Sequence, residues 1–207
     1  MNTEEHNWQP LSPAQVQRVL SGLTVPWWIA GGWAIDLHLG RQTREHGDTD
    51  VVILRDDQLV VQQHLAGWDL HKTKQPGLSP WPRAEYLAAP INDIWCRRTP
   101  QSPWCIQFML LDSSHDRWIF RRNRSISGPI RCLGRRAAEG IPYLAPEIQL
   151  LYKAGPQPLP KDDADLAVVL PHLDPEAREW LLQALRLCFA EVHPWIVQLT
   201  AAVRKNP

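Results

Sequence analysis

The sequence predicts an α/β or α+β fold: a mixed sheet with flanking helices, followed by a smaller C-terminal helical region. Three observations predict it. Up to about residue 128, short apolar runs of strand length alternate with short helical patterns. Beyond that point the strand pattern stops and helix-start signals recur. The 207 residues are 44% hydrophobic, which is ample for a packed core and argues against disorder. The expected division is residues 1–130 as the sheet-bearing domain and 131–207 as the helical domain.

The elements follow in order. Ser12-Pro13 is a helix start, a capping hydroxyl before proline, with Val16, Val19, Leu20 and Leu23 on one face. Residues 27–30 read as a buried strand entering a tight turn at Gly31-Gly32. Residues 33–39 form a short helix closed by Gly40. Polar loop follows to residue 47, then a strand over 48–54, and a helix capped by Asp56 and running to about His64. Residues 68–72 are a third strand. Residues 75–90 carry four prolines and read as ordered loop. Strands over 94–97 and 106–112 are joined by a turn-rich segment, and 117–121 adds a short strand. Helices are expected over 145–154, 161–170, 174–190 and 194–204, the third with Trp180, Leu181, Leu185 and Cys188 on one face. A sheet half packed against a helical half leaves a cleft between them.

Composition excludes several classes. Formal net charge is zero, which argues against a general nucleic-acid binder. The four cysteines, at 96, 105, 132 and 188, contain no C-x-x-C pair, and their scatter points to a reducing cytoplasm. No basic start leads into an apolar stretch, and the most apolar segment, 25–39, is broken by two glycines and Asp36. Neither a secretory signal nor a membrane span is expected. No Walker A, H-R-D or D-F-G string occurs, so P-loop and protein-kinase chemistry are disfavoured.

The informative segment runs from Ala30 to Val51. Asp48 and Asp50 are two apart on a predicted strand, so both carboxylates point to one face. Two like charges side by side are costly without a cation between them. Mg²⁺ prefers one or two carboxylates plus substrate phosphates, and Mn²⁺ is the alternative. At Gly31 and Gly32 the backbone N–H groups can approach an anion, and the following helix turns its positive end there. A triphosphate held between an anion nest and carboxylate-bound metal is the arrangement for phosphoryl or nucleotidyl transfer with two ions.

This constellation resembles a known family. The glycine turn, short helix and Asp-x-Asp on the next strand resemble the nucleotidyltransferase superfamily that includes DNA polymerase beta and the antibiotic nucleotidyltransferases. The string Trp33-Ala34-Ile35-Asp36 with Arg44-x-His46-x-Asp48-x-Asp50 is similar to the aminoglycoside 2''-nucleotidyltransferase and lincosamide nucleotidyltransferase group. So is the C-terminal string Tyr143-Leu144-Ala145-Pro146-Glu147 to Leu151-Tyr152-Lys153, then Lys161-Asp162-Asp163-Ala164-Asp165. The resemblance covers most of the chain. It implies a polymerase-beta-like sheet and a Mg²⁺-dependent, adenylyltransferase-like enzyme. Such an enzyme moves AMP from ATP onto a hydroxyl of a small molecule, such as an aminoglycoside or lincosamide, with release of pyrophosphate. It also implies a third carboxylate on a neighbouring strand. Asp112, closing an apolar strand, is the first choice for metal ligation or for taking the acceptor's proton, and Asp93 is the fallback. Arg44, His46 and Lys153 are implied contacts of the nucleotide.

Plainer roles stand beside these. Arg44 could form a surface pair, His46 could order its loop, Lys153 could be solvated, and Asp36 reads as structural. Lys161, Asp162 and Asp165 read as a capped helix start with a salt-bridged face. Arg121-Arg122 could hold pyrophosphate or acceptor, or form a strand-edge charge pair. Two alternative functions remain: a catalytically silent nucleotide-binding module, and transfer to a protein or nucleotide acceptor. Partners expected are a nucleoside triphosphate and a hydroxyl acceptor, on a monomer or homodimer. Aminoglycosides are polycations, and equal acid and base counts with Arg97-Arg98 and Arg121-Arg122 near the cleft keep a neutral or weakly charged acceptor open.

Overall fold

The computed structural model describes residues 7–74 and 77–205. Helix α1 (Pro13–Val19) opens with a full capping box: Ser12 Oγ accepts from Gln15 N at 3.3 Å, and Gln15 Oε1 accepts from Ser12 N at 2.8 Å. Strand β1 (Trp27–Ile29) runs through Ala30 into α2 (Gly31–Leu39), which ends on Gly40 in the left-handed conformation. Strand β2 (Asp50–Leu54) begins two residues later than expected, so Asp48 lies in the preceding loop. A 3₁₀ turn leads from β2 into α3 (Gln58–His64), with Asp57 at the N-cap position. Asp56 instead accepts from the Tyr86 hydroxyl at 2.9 Å.

Strands β3 (Asp69–Lys74) and β4 (Gly77–Pro80) form an antiparallel pair. The sequence reading placed residues 77–80 in loop. Proline fits there because β4 is an edge strand, where a missing N–H breaks no inner ladder. Strands β5 (Asp93–Arg97) and β6 (Ile106–Leu111) follow, then a small three-stranded sheet of β7 (Ser113–Ser114), β8 (Arg117–Ile119) and β9 (Ser127–Pro129).

Strands β10 (Gly134–Arg136) and β11 (Pro142–Leu144) return to the main sheet, whose order is β10-β11-β1-β2-β6-β5-β3-β4. A boundary at residue 130 therefore cuts two strands from their sheet. The all-helical part begins only at α4 (Pro146–Lys153), followed by α5 (Pro160–Val169), α6 (Pro175–Cys188) and α7 (Pro194–Lys205). These four helices and α1 each start on proline, whose absent N–H costs nothing in the first turn. Among the described residues, no helix is long and apolar enough to cross a membrane.

Two cores lie on opposite faces of the sheet. Ile29, Val51, Ile53, Ile94, Ile106 and Phe108 pack with Val16 and Val61 of α1 and α3. Trp28, Val52, Leu54 and Leu111 pack with the C-terminal helices. Side chains alternate between faces, so Asp50 lies on the second face, with Val52. Strands β2 and β6 are parallel and pair Asp50 with Gln107; β6 and β5 are antiparallel and pair Gln107 with Trp95. On that face Asp93, Trp95, Gln107 and Met109 are only half-buried, whereas Ile94, Cys96, Ile106 and Phe108 opposite are buried. The sheet is thus more open beside Asp50 on the β6–β5 side.

Candidate active site

The site is built where β1 ends and β2 begins. Gly31 has φ of 65°, and a Cβ there would stand 2.3 Å from Asp50 Oδ2. Only glycine allows the turn and the carboxylate to share this space. The Asp50 carboxylate has no hydrogen-bond or ion-pair partner among the described residues. Burial pushes its pKa up to about 7, Asp48 and Asp93 add to the rise, and Lys153 and Lys161 oppose it. Asp48 is exposed on the loop before the strand.

Asp93 shares Asp50's sheet face and accepts from Gln107 Nε2 at 3.2 Å. No group of three carboxylate, histidine or cysteine side chains among the described residues forms a closed metal cage. Asp48 and Asp50 nonetheless fit a hard divalent cation that takes one or two carboxylates and completes its shell with phosphate oxygens and water.

Gly32 is enclosed differently. A Cβ there would meet the His46 ring at 2.4 Å and Arg44 Nη2 at 2.5 Å. His46 Nε2 lies 2.5 Å from Asp36 Oδ2, while Arg44 Nη1 lies 3.1 Å from His46 Nδ1. Because arginine can only donate, the ring accepts at Nδ1 and turns its Nε2–H toward Asp36. Asp36 also accepts from the Thr43 backbone N–H and hydroxyl. The Arg44 guanidinium reaches both oxygens of Asp165 at 3.3 Å.

Asp165 is shared. Lys153 Nζ lies 2.8 Å from its Oδ2 and 3.1 Å from Asp162 Oδ1. Arg44 and His46 thus fasten the motif loop to α2 and α5, and neither lines the cleft. Asp162 and Asp165 form the salt-bridged face expected of them.

The cleft encloses about 670 Å³ between the sheet and the helices. Gly31, Asp50, Gln149, Lys153 and Lys161 line one part, and Asp112, Phe120, Arg121, Arg122 and Phe189 also border it. Asp112 is five residues beyond Gln107, the partner of Asp50, and so stands about 16 Å further along the strands. It is held there by Arg55 Nε at 2.5 Å and Arg124 Nη1 at 3.5 Å. The structure brings Asp48, Asp50 and Asp93 into one neighbourhood and sets Asp112 apart from it.

Two cleft residues, and a third on the sheet face beside Asp50, escaped the sequence reading. Lys161 was read as part of a helix start, yet it reaches the cleft and makes no ion pair among the described residues. Trp95 lay hidden among eleven tryptophans. Gln149 lies one helical turn before Lys153, and that four-residue spacing on α4 was the available signal.

Comparison with known proteins agrees with this architecture. Residues 14–75 match the family model described as aminoglycoside-2''-adenylyltransferase. A 27-residue stretch is 63% identical to 2''-aminoglycoside nucleotidyltransferases of Escherichia coli and of Klebsiella pneumoniae. That stretch is 13% of this chain and spans only 15% of the length of each relative. The crystal structure of the lincosamide antibiotic adenylyltransferase LnuA, bound to lincomycin, aligns over 78% of this chain and 96% of its own. The TM-score is 0.53 at 18% identity, a likeness of fold. The chain thus shares its fold with that adenylyltransferase, and its residues 14–75 match the aminoglycoside-2''-adenylyltransferase model.

Proposed function

We propose that this protein is a Mg²⁺-dependent nucleotidyltransferase that moves AMP from ATP onto a hydroxyl of a small, antibiotic-like molecule. The observation that carries this reading is the unpartnered Asp50 carboxylate, set against Gly31 with Asp48 and Asp93 beside it. Asp48 and Asp50 would hold the metal. When bound, it would offset phosphate charge and acidify the attacking hydroxyl.

The chain's own groups divide the remaining work. Lys153 and Lys161 face the donor's polyphosphate from the helical side, where their charge favours departure of pyrophosphate. The bordering Phe189 offers apolar surface to the nucleoside. In-line displacement puts the acceptor opposite the leaving group, on the open sheet face that bears Asp93 and Trp95. Asp93 is the third carboxylate and takes the acceptor's proton. Trp95, directly across Gln107 from Asp50, offers an indole surface to an acceptor ring.

The test is pyrophosphate release from MgATP, screened over lincomycin, tobramycin and related alcohols. Turnover with at least one acceptor, abolished by chelator and restored by Mg²⁺ or Mn²⁺, is expected. Full turnover after rigorous metal removal would sink the mechanism. Trp95→Ala should raise the acceptor KM about tenfold, and an unchanged KM would move the acceptor off this face.

A further inference from the structure

Gln149 is a buried polar side chain that the mechanism above does not use. It is 5% exposed, lies on α4, and borders the cleft with Gly31, Asp50 and Lys153. Its Oε1 accepts from the Gly31 N–H at 2.8 Å, across 118 residues of chain. Gly31 opens α2, so this N–H is one of the first-turn donors that a helix cannot satisfy internally.

The hydrogen bond also fixes which way the amide points. An N–H can be met only by the amide's oxygen, so the NH₂ group turns away from Gly31. Gln149 Nε2 donates to no acceptor among the described residues, and the atom itself is not fully buried. A pinned amide therefore retains two N–H donors at the cleft. Of the nearby cleft cations, Lys153 is balanced by Asp162 and Asp165, whereas Lys161 makes no ion pair among the described residues and favours an anionic partner.

We propose that Gln149 is a nucleotide-binding residue whose Nε2–H donates to a phosphate oxygen of the donor triphosphate. In the same contact, its oxygen holds the Gly31 turn in place. The proposal rests on the nucleotidyltransferase reading and goes beyond it. The first donor of the glycine turn is committed to Gln149, and the side-chain amide delivers that hydrogen-bonding capacity to the ligand. Helix α4 thus contributes an amide and, one turn later, an ammonium.

Two substitutions separate this from a purely structural pin and from a simple charge effect. Gln149→Glu keeps an oxygen for Gly31 but loses the donor. Gln149→Leu loses both and adds no charge. Affinities for MgATP and for Mg-bound inorganic triphosphate are measured calorimetrically, and thermal unfolding is followed in parallel. The expected result is at least tenfold weaker binding of both probes in both variants, with the melting temperature of Gln149→Glu near wild type. A structural pin would weaken binding in Gln149→Leu alone, and a charge effect in Gln149→Glu alone; either outcome overturns the proposal. Loss for MgATP but not for triphosphate would move the contact to the nucleoside and overturn it as well. Failure of the wild type to bind either probe would instead overturn the nucleotidyltransferase reading itself.

Discussion

Asp50 and Asp112 border the same cleft, near the start and beyond the end of two parallel strands, and their surroundings could hardly differ more. Asp112 is neutralised where it stands. Arg55 grips one oxygen and Arg124 approaches the other. Arg55 is itself held by the Leu87 and Ile91 carbonyls and by Asn92, so the cluster fastens residues 87–92 against the strand ends. Asp50 has no such partner and has two carboxylates nearby. A carboxylate at a strand end becomes a fastener when an arginine fork meets it. It stays available to a cation when only glycine backbone lies against it. Neighbours decide the role, and position along the strand does not.

The contrast is broken or sharpened by replacing each carboxylate with its neutral isostere. Asp50→Asn should cut turnover by at least about 10³-fold, because a metal-binding carboxylate has no substitute nearby. The same change should stabilise the metal-free fold above neutral pH, and the sign follows from proton counts. With its pKa raised from 3.8 to about 7, folded Asp50 keeps a proton that the unfolded chain has lost between those values. Stability from this group is therefore greatest at low pH and falls as pH rises through 7, by at most about 4 kcal/mol. In the metal-free protein, unfolding temperatures at pH 6 and pH 8 should differ by several degrees, and Asp50→Asn should flatten that difference. No flattening would mean that Asp50 is not the group responsible.

Asp93→Asn comes next. It should lower kcat by about 10²-fold as a general base is lost, while MgATP still binds with near-normal affinity. Near-normal kcat would remove Asp93 from the mechanism. Asp112→Asn should have the smallest effect on chemistry, a change in kcat of less than about threefold among molecules that fold. Its cost should appear in stability. Leaving buried Arg55 without its carboxylate should cost about 2 kcal/mol, discounted because Asp112 is 22% exposed. A large loss of kcat at unchanged stability would reverse the roles assigned to Asp93 and Asp112.

Much of the fold was legible because its signals are local. The Ser12-Pro13 start, the glycine turn, the Gly40 stop and the alternation in β2 and β6 each depend on residues within one turn or one strand. Asp48 and Asp50 were legible for the same reason. Asp112 shows the limit. The sequence reveals a carboxylate at the end of an apolar strand, but the end of the sheet it occupies depends on parallel pairing with β2, a register set 57 residues away. Arg44 and His46 are a second case. Their carboxylate partners, Asp36 on α2 and Asp165 on α5, become neighbours only after folding. Strand β4 was obscured because its flanking prolines read as loop, although an edge strand tolerates them.

The shared carboxylate of Asp165 has a consequence for how such a chain can be recombined. Arg44 comes from the sheet half and Lys153 from the helical half, and both are balanced by Asp165. A chimera joined between β11 and α4 would take Arg44 from one parent and Lys153, Asp162 and Asp165 from another. If the donor of the helices lacked the aspartate, two cations would face one another across the seam. The halves of this protein are therefore exchangeable between relatives only where both sides of that charge balance travel together.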